Sequence, residues 1–366
     1  LIHDFKPVAS NYTQNRANLA QGRNSCANWL SYIDMREIYY SWALREAMAE
    51  EMARDPKVFL IGEDIADYGG AFKVTQGLAQ QFGRERVRNT PISENSICGV
   101  GVGAAIVGMR PIVDIMFQDF ITLAMDQIVN HAAKFYYMYG GQCRVPLTIR
   151  TPAGGGRNYG PTHSQSLEAW FMHVPGLKVV APSNAYDAKG LLKSAIRDDN
   201  PVLFIESKLL YGVKGEVPEP DAPGGDYTVP IGEAKIVREG EHLTLIAYSR
   251  MVGECERAAE ALATQGISCE IVDIRTLAPL DADTIAASVE KTGRAIVVCE
   301  DCRTAGVSAE IMARVVEECF DFLQAPVRRV AGADTPIPCA DILERAALPD
   351  AQNIVDAAVG LLQQYA

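Results

Sequence analysis

"RVRNTPISENSICGVGVGAAIVG", residues 86–108, sets one carboxylate, Glu94, ahead of glycines at 99, 101, 103 and 108. Two readings compete. In the first, Gly99, Gly101 and Ala104 satisfy a G-x-G-x-x-A dinucleotide fingerprint, and Asp119 falls 20 residues after Gly99, where a ribose-binding acid is sought. That would make the chain a dinucleotide-binding oxidoreductase. The fingerprint needs a buried strand directly before its first glycine, and here stand Pro91, Ser93, Glu94, Asn95 and Ser96. These are turn and helix-start residues, with Ser93 or Asn95 as the candidate cap. In the second reading the glycines lie inside a helix, where each costs roughly 1 kcal/mol relative to alanine. What they allow is the close approach of a neighbouring backbone. Glu94 then sits at the helix N-terminus, where the unpaired N–H groups favour a carboxylate. The second reading fits the local residues better.

Outward from this stretch, strand-like and helix-like pieces take turns. "REIYYSWALREAMAEEMARD" has apolar residues at helical spacing, and "VFLIG" follows as a strand. After residues 95–109 come the strand "RPIVDIM", a long helix "FITLAMDQIVNHAAKFYYM" and the buried strand "VPLTIRTP". "LKVVAPS", the helix "AYDAKGLLKSAIRDD" and "PVLFIES" complete the set. Alternation of this kind predicts a parallel sheet covered by helices on both faces, an α/β fold. Residues 208–231, rich in proline and glycine with alternating charge, read as a surface linker. A second α/β set begins at 232, from "HLTLIAYS" to a terminal helix. The expected organisation is a poorly ordered extension at 1–34, a domain at 35–207, the linker at 208–231 and a second domain at 232–366.

Composition narrows the function. The chain has 366 residues, a formal net charge of −12 and 48% hydrophobic residues, enough for two domains with sizeable cores. An acidic balance argues against nucleic acid and anionic membranes, which reward a basic surface. The first 34 residues lack the charged start and apolar core of a signal peptide, and no run is long enough to span a bilayer. Nine scattered cysteines, an odd number, fit a reducing bacterial cytoplasm or organelle matrix better than a disulfide framework. Cys299-Glu-Asp-Cys302 is a lone C-x-x-C with no second pair to complete a zinc site.

Longer motifs carry more. "TPISENSICGVGVGAAIVGMRPIVDIMFQDF", "MDQIVNHAAKFYYMYGGQ", "THSQSLEAWFMHVPGLKVVAPSNAYDAKGLLKSAIRDDNPVLFIE" and "VDIRTLAPLDADTIAASVEKTGR" occur in this order. From about Ile38 onward the chain resembles the beta subunit of the E1 component of thiamine diphosphate-dependent 2-oxo acid dehydrogenases. The resemblance implies a transketolase-like architecture, a pyrimidine-binding α/β domain followed by a smaller C-terminal α/β domain. It assigns Glu94 to N1′ of the cofactor's aminopyrimidine, where a fixed acid lets the cofactor act as its own base. It places Phe120, in "MFQDF", against the aminopyrimidine ring, and His163, in "THSQS", near the reactive end, in proton transfer or acyl acceptance. Thr162 departs from the glutamine expected before that histidine. His131 and His173 read as structural or exposed. A structural potassium ion held largely by backbone carbonyls is implied at Leu147, Ala195, Ile196, Asp198 and Asn200, a donor type that suits a hard cation.

The sequence also lacks something. Thiamine enzymes hold the diphosphate through Mg²⁺ with a Gly-Asp-Gly motif, and none occurs; the one Gly-Asp pair, Gly225-Asp226, falls in the linker. The resemblance accounts for this, because the E1 alpha subunit supplies that half in an α2β2 heterotetramer. The acyl group would pass to the lipoyl carrier of an E2 acyltransferase. Gln324, where related chains often have an acid, and Cys339, where a tyrosine is common, bear on the E2 contact. Pyruvate is the expected substrate, with acetoin and branched-chain 2-oxo acids next. A non-catalytic assembly subunit is a different class, against which the joint presence of Glu94, Phe120 and His163 speaks.

Overall fold

The computed structural model describes residues 34–222 and 224–365, so the expected N-terminal extension, apart from Asp34, lies outside the described residues. Among the described residues the chain divides into two compact units, 34–37 with 216–222 and 224–227, and 38–215 with 228–365. In the smaller one, Glu219 N donates to Asp34 O (2.8 Å) and Arg36 pairs with the Glu219 carboxylate (3.2 Å).

The larger unit holds two sheets. The first takes β1 (Val58–Glu63), β2 (Val87–Thr90), β3 (Arg110–Asp114), β4 (Thr148–Ala153), β5 (Lys178–Val180) and β6 (Val202–Ser207). The second is built on β7 (Lys235–Arg238), β8 (Leu243–Ala247), β9 (Cys269–Asp273), β11 (Ala295–Cys302) and β12 (Arg328–Gly332). Between them in sequence, β10 (Thr276–Ala278) returns to the first sheet, whose order is β10-β5-β6-β4-β3-β1-β2. The second sheet runs β12-β11-β8-β9-β7. All pairings in both are parallel except the edge strands β10 and β7. This is the α/β class expected from the alternation. The edge strand β10 was not expected. Its Leu277 is fully buried in the same core as Val179 and Leu203 of the first sheet and Val272 of the second.

Helices cover the faces. Among them are α1 (Tyr40–Arg54), α2 (Leu78–Phe82), α3 (Glu94–Ile106), α4 (Ala133–Met138), α5 (Glu168–Met172) and α6 (Ala185–Arg197). α7 (Met251–Ala263), α8 (Ala282–Thr292), α9 (Val307–Cys319), α10 (Asp341–Ala347) and α11 (Ala351–Gln364) belong to the C-terminal half. α1 begins at Tyr40, later than the periodicity suggests, because Met35–Tyr39 is extended. α6 starts at Asn184, whose side chain accepts from Asp187 N as a helix cap. It packs on α1 through buried charge. Lys189 and Lys193 are fully buried and reach Glu50 of α1 at 2.6 and 2.7 Å, and Arg197 meets Glu51 at 2.6 Å.

Residues 118–138 differ from the single long helix expected. Gln118–Ala124 is 3₁₀, Asp126–Ala132 is a π-helix and only Ala133–Met138 is α. A π turn widens the helix, and such turns cluster at functional sites. Its Gln127 side chain lies against α3, where a Cβ on Gly99 would come within 3.3 Å of the amide oxygen. The first part of 208–231 is likewise not surface linker, because Lys208, Leu210 and Tyr211 are buried. No helix among the described residues is long and apolar enough to cross a membrane.

The glycines of α3 divide by what they face. A Cβ on Gly101 would lie 2.7 Å from Val113 Cγ2 and 3.1 Å from Leu147 Cδ1, so the helix rests directly on β3 and the start of β4. Gly103 faces open space. Gly101→Ala should therefore destabilise the protein by about 1–2 kcal/mol, overpacking outweighing the gain in helix propensity. Gly103→Ala should be neutral or stabilising by up to about 1 kcal/mol. Urea midpoints of the two variants decide this, and equal shifts would contradict the packing described.

Candidate active site

Glu94 is the first residue of α3, reached from β2 through the turn Pro91–Ser93. Ser93 occupies the cap position, but its hydroxyl donates to Pro91 O (3.1 Å) and not to the helix, while Asn95 lies inside it. The side-chain cap expected at 93 or 95 is therefore absent. Glu94 as a residue is only 8% exposed, and its carboxylate has no hydrogen-bond or ion-pair partner among the described residues. It sits at the C-terminal edge of the parallel sheet, where open α/β folds bind ligands. Glu63 at the end of β1 is close by. Burial, with the charges of Asp64, Glu94 and Asp114, pushes the Glu63 carboxyl above its ordinary range. One turn into α3, burial and then Glu94 raise the Cys98 thiol to about 12.

Glu63 and Asp114 also line a small cavity with Phe72, Met116, Arg150 and Tyr211. Arg150, on β4, is its organising charge. Its Nε and Nη2 donate to Glu206 (2.8 and 2.5 Å), and its Nη1 donates to Asp114. Tyr211 OH donates to the same Glu206 carboxylate at 2.7 Å. All four residues are buried.

From this cavity an aromatic path leads outward. Phe72 meets Phe117 edge-on at 5.6 Å, and Phe117 meets Phe120 at 6.0 Å and His163 at 4.8 Å. Phe120 and His163, both half-buried, are in edge contact at 5.2 Å. The structure thus brings Phe120 and His163 together, while Glu94 belongs to the carboxylate group at the inner end. His163 Nδ1 lies 3.1 Å from Thr162 Oγ1. Asp119, the acid of the dinucleotide reading, points elsewhere. It is 5% exposed, and its Oδ1 accepts from Gln165 N (3.2 Å) and Nε2 (2.8 Å). Gln118 Oε1 accepts from Leu167 N (3.1 Å), so "QD" pins the segment after His163. Gly99 falls in the second turn of α3 and not at a strand-to-helix turn, which removes the remaining support for that reading.

Lys208 was missed in the sequence. It is fully buried, its ammonium donates to His163 O and lies 5.3 Å from the Phe117 ring centre, and burial lowers its pKa to about 8. A lysine after a strand in a proline- and glycine-rich stretch gives no signal of this. Only the fold shows the burial.

The residues implied in potassium binding converge at the opposite, N-terminal edge of the sheet. Leu147 O accepts the ladder bond from Val202 N (2.9 Å), and Ala195 O accepts from Asp198 N (3.3 Å). Arg110 Nη1 donates to Ile196 O (3.1 Å) and Asp198 O (3.0 Å), and Asn200 N donates to the Asp198 side chain (2.8 Å). Each carbonyl oxygen keeps a second lone pair. Among the described residues no three His, Cys, Asp or Glu side chains are grouped to hold a metal.

Two family descriptions match the chain: "Transketolase, pyrimidine binding domain" over residues 36–214 and "Transketolase, C-terminal domain" over 232–354. A solved "Split gene transketolase, inactive beta4 tetramer" shares the fold with a TM-score of 0.70 at 23% identity, covering 90% of this chain and 99% of that one. Fold and site therefore define a chain of the transketolase type. The mitochondrial pyruvate dehydrogenase E1 component subunit beta of Dictyostelium discoideum is 47% identical over 90% of this chain and 92% of its own length. The human mitochondrial subunit is 48% identical over 86% and 87%, and the Rhizobium meliloti subunit 50% over 86% and 68%. The chain belongs to the family of pyruvate dehydrogenase E1 beta subunits, a thiamine diphosphate-dependent family whose members work with an E1 alpha subunit.

Arg150 generates a prediction independent of cofactor. Arg150→Met would leave Asp114 and Glu206 buried without a counter-charge, a change that typically costs about 3–5 kcal/mol. The expected result is a large fall in the urea midpoint. An unchanged midpoint would mean that the network is relaxed in solution.

Proposed function

We propose that this chain, paired with an E1 alpha subunit, catalyses thiamine-dependent oxidative decarboxylation of a 2-oxo acid, pyruvate first, and delivers the acyl group to the lipoyl carrier of E2. The observation that carries the proposal is the buried Glu94 carboxylate without a partner. A carboxylate on a buried residue with no protein partner is open to a hydrogen bond from a ligand. An aminopyrimidine ring supplies such a partner, and the aromatic residues beyond it suit a flat ring, so the residues present fit that end of the cofactor. Thiamine diphosphate, when bound, supplies the electron sink that lets the bond between the carboxylate and carbonyl carbons of a 2-oxo acid break.

The protein's own part is narrower. Glu94 would present one carboxylate oxygen to the ring nitrogen N1′, the position at which the proton that lets the cofactor act as its own base is shared. Phe120 supplies an apolar wall that excludes water. His163, with Nδ1 beside Thr162 Oγ1, is left with Nε2 to give or take a proton at the mouth. Mg²⁺ and the diphosphate fall to the alpha subunit in an α2β2 assembly. The carbonyls of Leu147, Ala195, Ile196, Asp198 and Asn200 hold K⁺ as a structural ion. Pyruvate is favoured because the relatives reported above are named for it. The names of the mitochondrial relatives support an organelle matrix as the setting, and the Rhizobium meliloti relative supports a bacterial one.

Calorimetric titration with thiamine diphosphate and Mg²⁺ tests the half-site. Binding should be tight for the co-expressed αβ complex and weak for this chain alone, and tight binding by the lone chain would refute it. Glu94→Gln should assemble normally by gel filtration yet lose about 10²-fold or more in turnover, the usual scale for a positioned proton-holding group. Unchanged turnover would sink the role given to Glu94.

A further inference from the structure

The segment from Gly154 to His163 has no regular secondary structure, yet it carries the half-buried histidine. Gly154, Gly156, Asn158 and Gly160 all adopt positive φ, at 86°, 84°, 57° and 79°. Backbone of this alternating kind turns successive N–H groups to one side and forms a concavity that receives anions. Here the anions come from the C-terminal half of the chain. Glu300 Oε1 accepts from Gly155 N (2.6 Å). Glu344, on α10, takes the next two: its Oε1 accepts from Gly156 N (2.9 Å) and its Oε2 from Asn158 N (2.8 Å).

The two carboxylates are not equivalent. Glu300 also binds Arg250 at 2.9 Å, so its position has a second anchor. Both oxygens of Glu344 are used on the loop. Glu344 is 2% exposed, although Gly156, Arg157 and Asn158 are exposed. The hold passes on toward His163. Arg157 donates to Lys208 O at 2.9 Å, and the Lys208 ammonium donates to His163 O.

We infer that Glu344 is a positioning residue, a two-pronged clamp from the C-terminal half that fixes the 154–163 loop and thereby the placement of His163. The inference rests on the role proposed above for His163. A carboxylate is required because both prongs must accept. A glutamine in the same place turns an NH₂ group toward one of the two N–H donors and loses that bond.

The test uses the αβ complex and a double-mutant cycle. Glu344→Gln should raise tryptic cleavage after Arg157 about tenfold, because the loop opens more often. In the otherwise native complex it should lower lipoyl-dependent turnover by about tenfold, and in a His163→Ala complex by less than about twofold. Glu344→Asp, which keeps both acceptors on a shorter arm, should restore part of both effects. A general loss of structure would lower turnover by the same factor in both backgrounds, so equal factors overturn the positioning role. Unchanged cleavage overturns the clamp. Full turnover by the His163→Ala complex would refute the function given to that histidine, and Glu344's role through it, while the cleavage rate still decides whether the clamp exists.

Discussion

Arg150 stands buried on the central strand of the first sheet, and its two carboxylate partners come from the strands on either side. Burying such a set is expensive, and attraction offsets the cost only when every donor finds an acceptor. Here Nε and one N–H on each Nη find carboxylate acceptors. Asp114 lies opposite Arg150 in the β3–β4 ladder, while Glu206 lies opposite Pro152 in the β4–β6 ladder. A one-residue slip of either neighbour would turn its carboxylate to the other face. The network therefore sets the register of three strands at the end of the sheet from which the site residues emerge. β4 leads directly into the loop that carries His163, and β3 leads to Phe117 and Phe120. Placement of those rings depends on strands held by charge as well as by apolar packing.

Much of this was legible in the sequence, and what was hidden has physical causes. Strand and helix alternation is a local signal, so β1, β3, β4 and β6 were visible as apolar runs and α6 by its helical spacing. That Glu94 starts a helix was visible because turn residues precede it and small residues follow, while its proposed role came only from the family resemblance. The edge strand β10 was hidden because three residues carry no periodicity, and only its partner β5 makes it a strand. The break in 118–138 was hidden for a similar reason. Its apolar spacing suits a helix, but the hydrogen-bond pattern is set by packing against α3, which composition does not encode. Arg150, Lys208 and Glu344 carry charge, and a charged residue in a sequence reads as surface. Their burial is a property of the fold.

The helix α3 joins the two halves of that account. Gly101 lets its backbone settle on Val113 and Leu147, and this close contact fixes the height of the helix above the sheet. Glu94, at its first residue, is thereby held at a set depth with its unpaired N–H groups beneath it. Larger residues at 101 would lift the helix and move the carboxylate with it. The glycines thus matter to the glutamate mechanically, through packing, and no phosphate needs to touch them.

On the proposed function, the charge of the inner end suits a site divided between two chains. Glu63, Glu94 and Asp114 gather at the C-terminal edge of β1 and β3, and only Asp114 has a buried cation beside it. Such a region favours a neutral ring that can share protons, because a shared proton relieves carboxylate repulsion. It disfavours a diphosphate, whose charge would add to that of the acids. The two ends of the cofactor therefore ask for opposite electrostatics. If, as proposed, a second chain holds the metal and diphosphate, those demands stay apart, and the acidic end needs no compensating cluster of lysines.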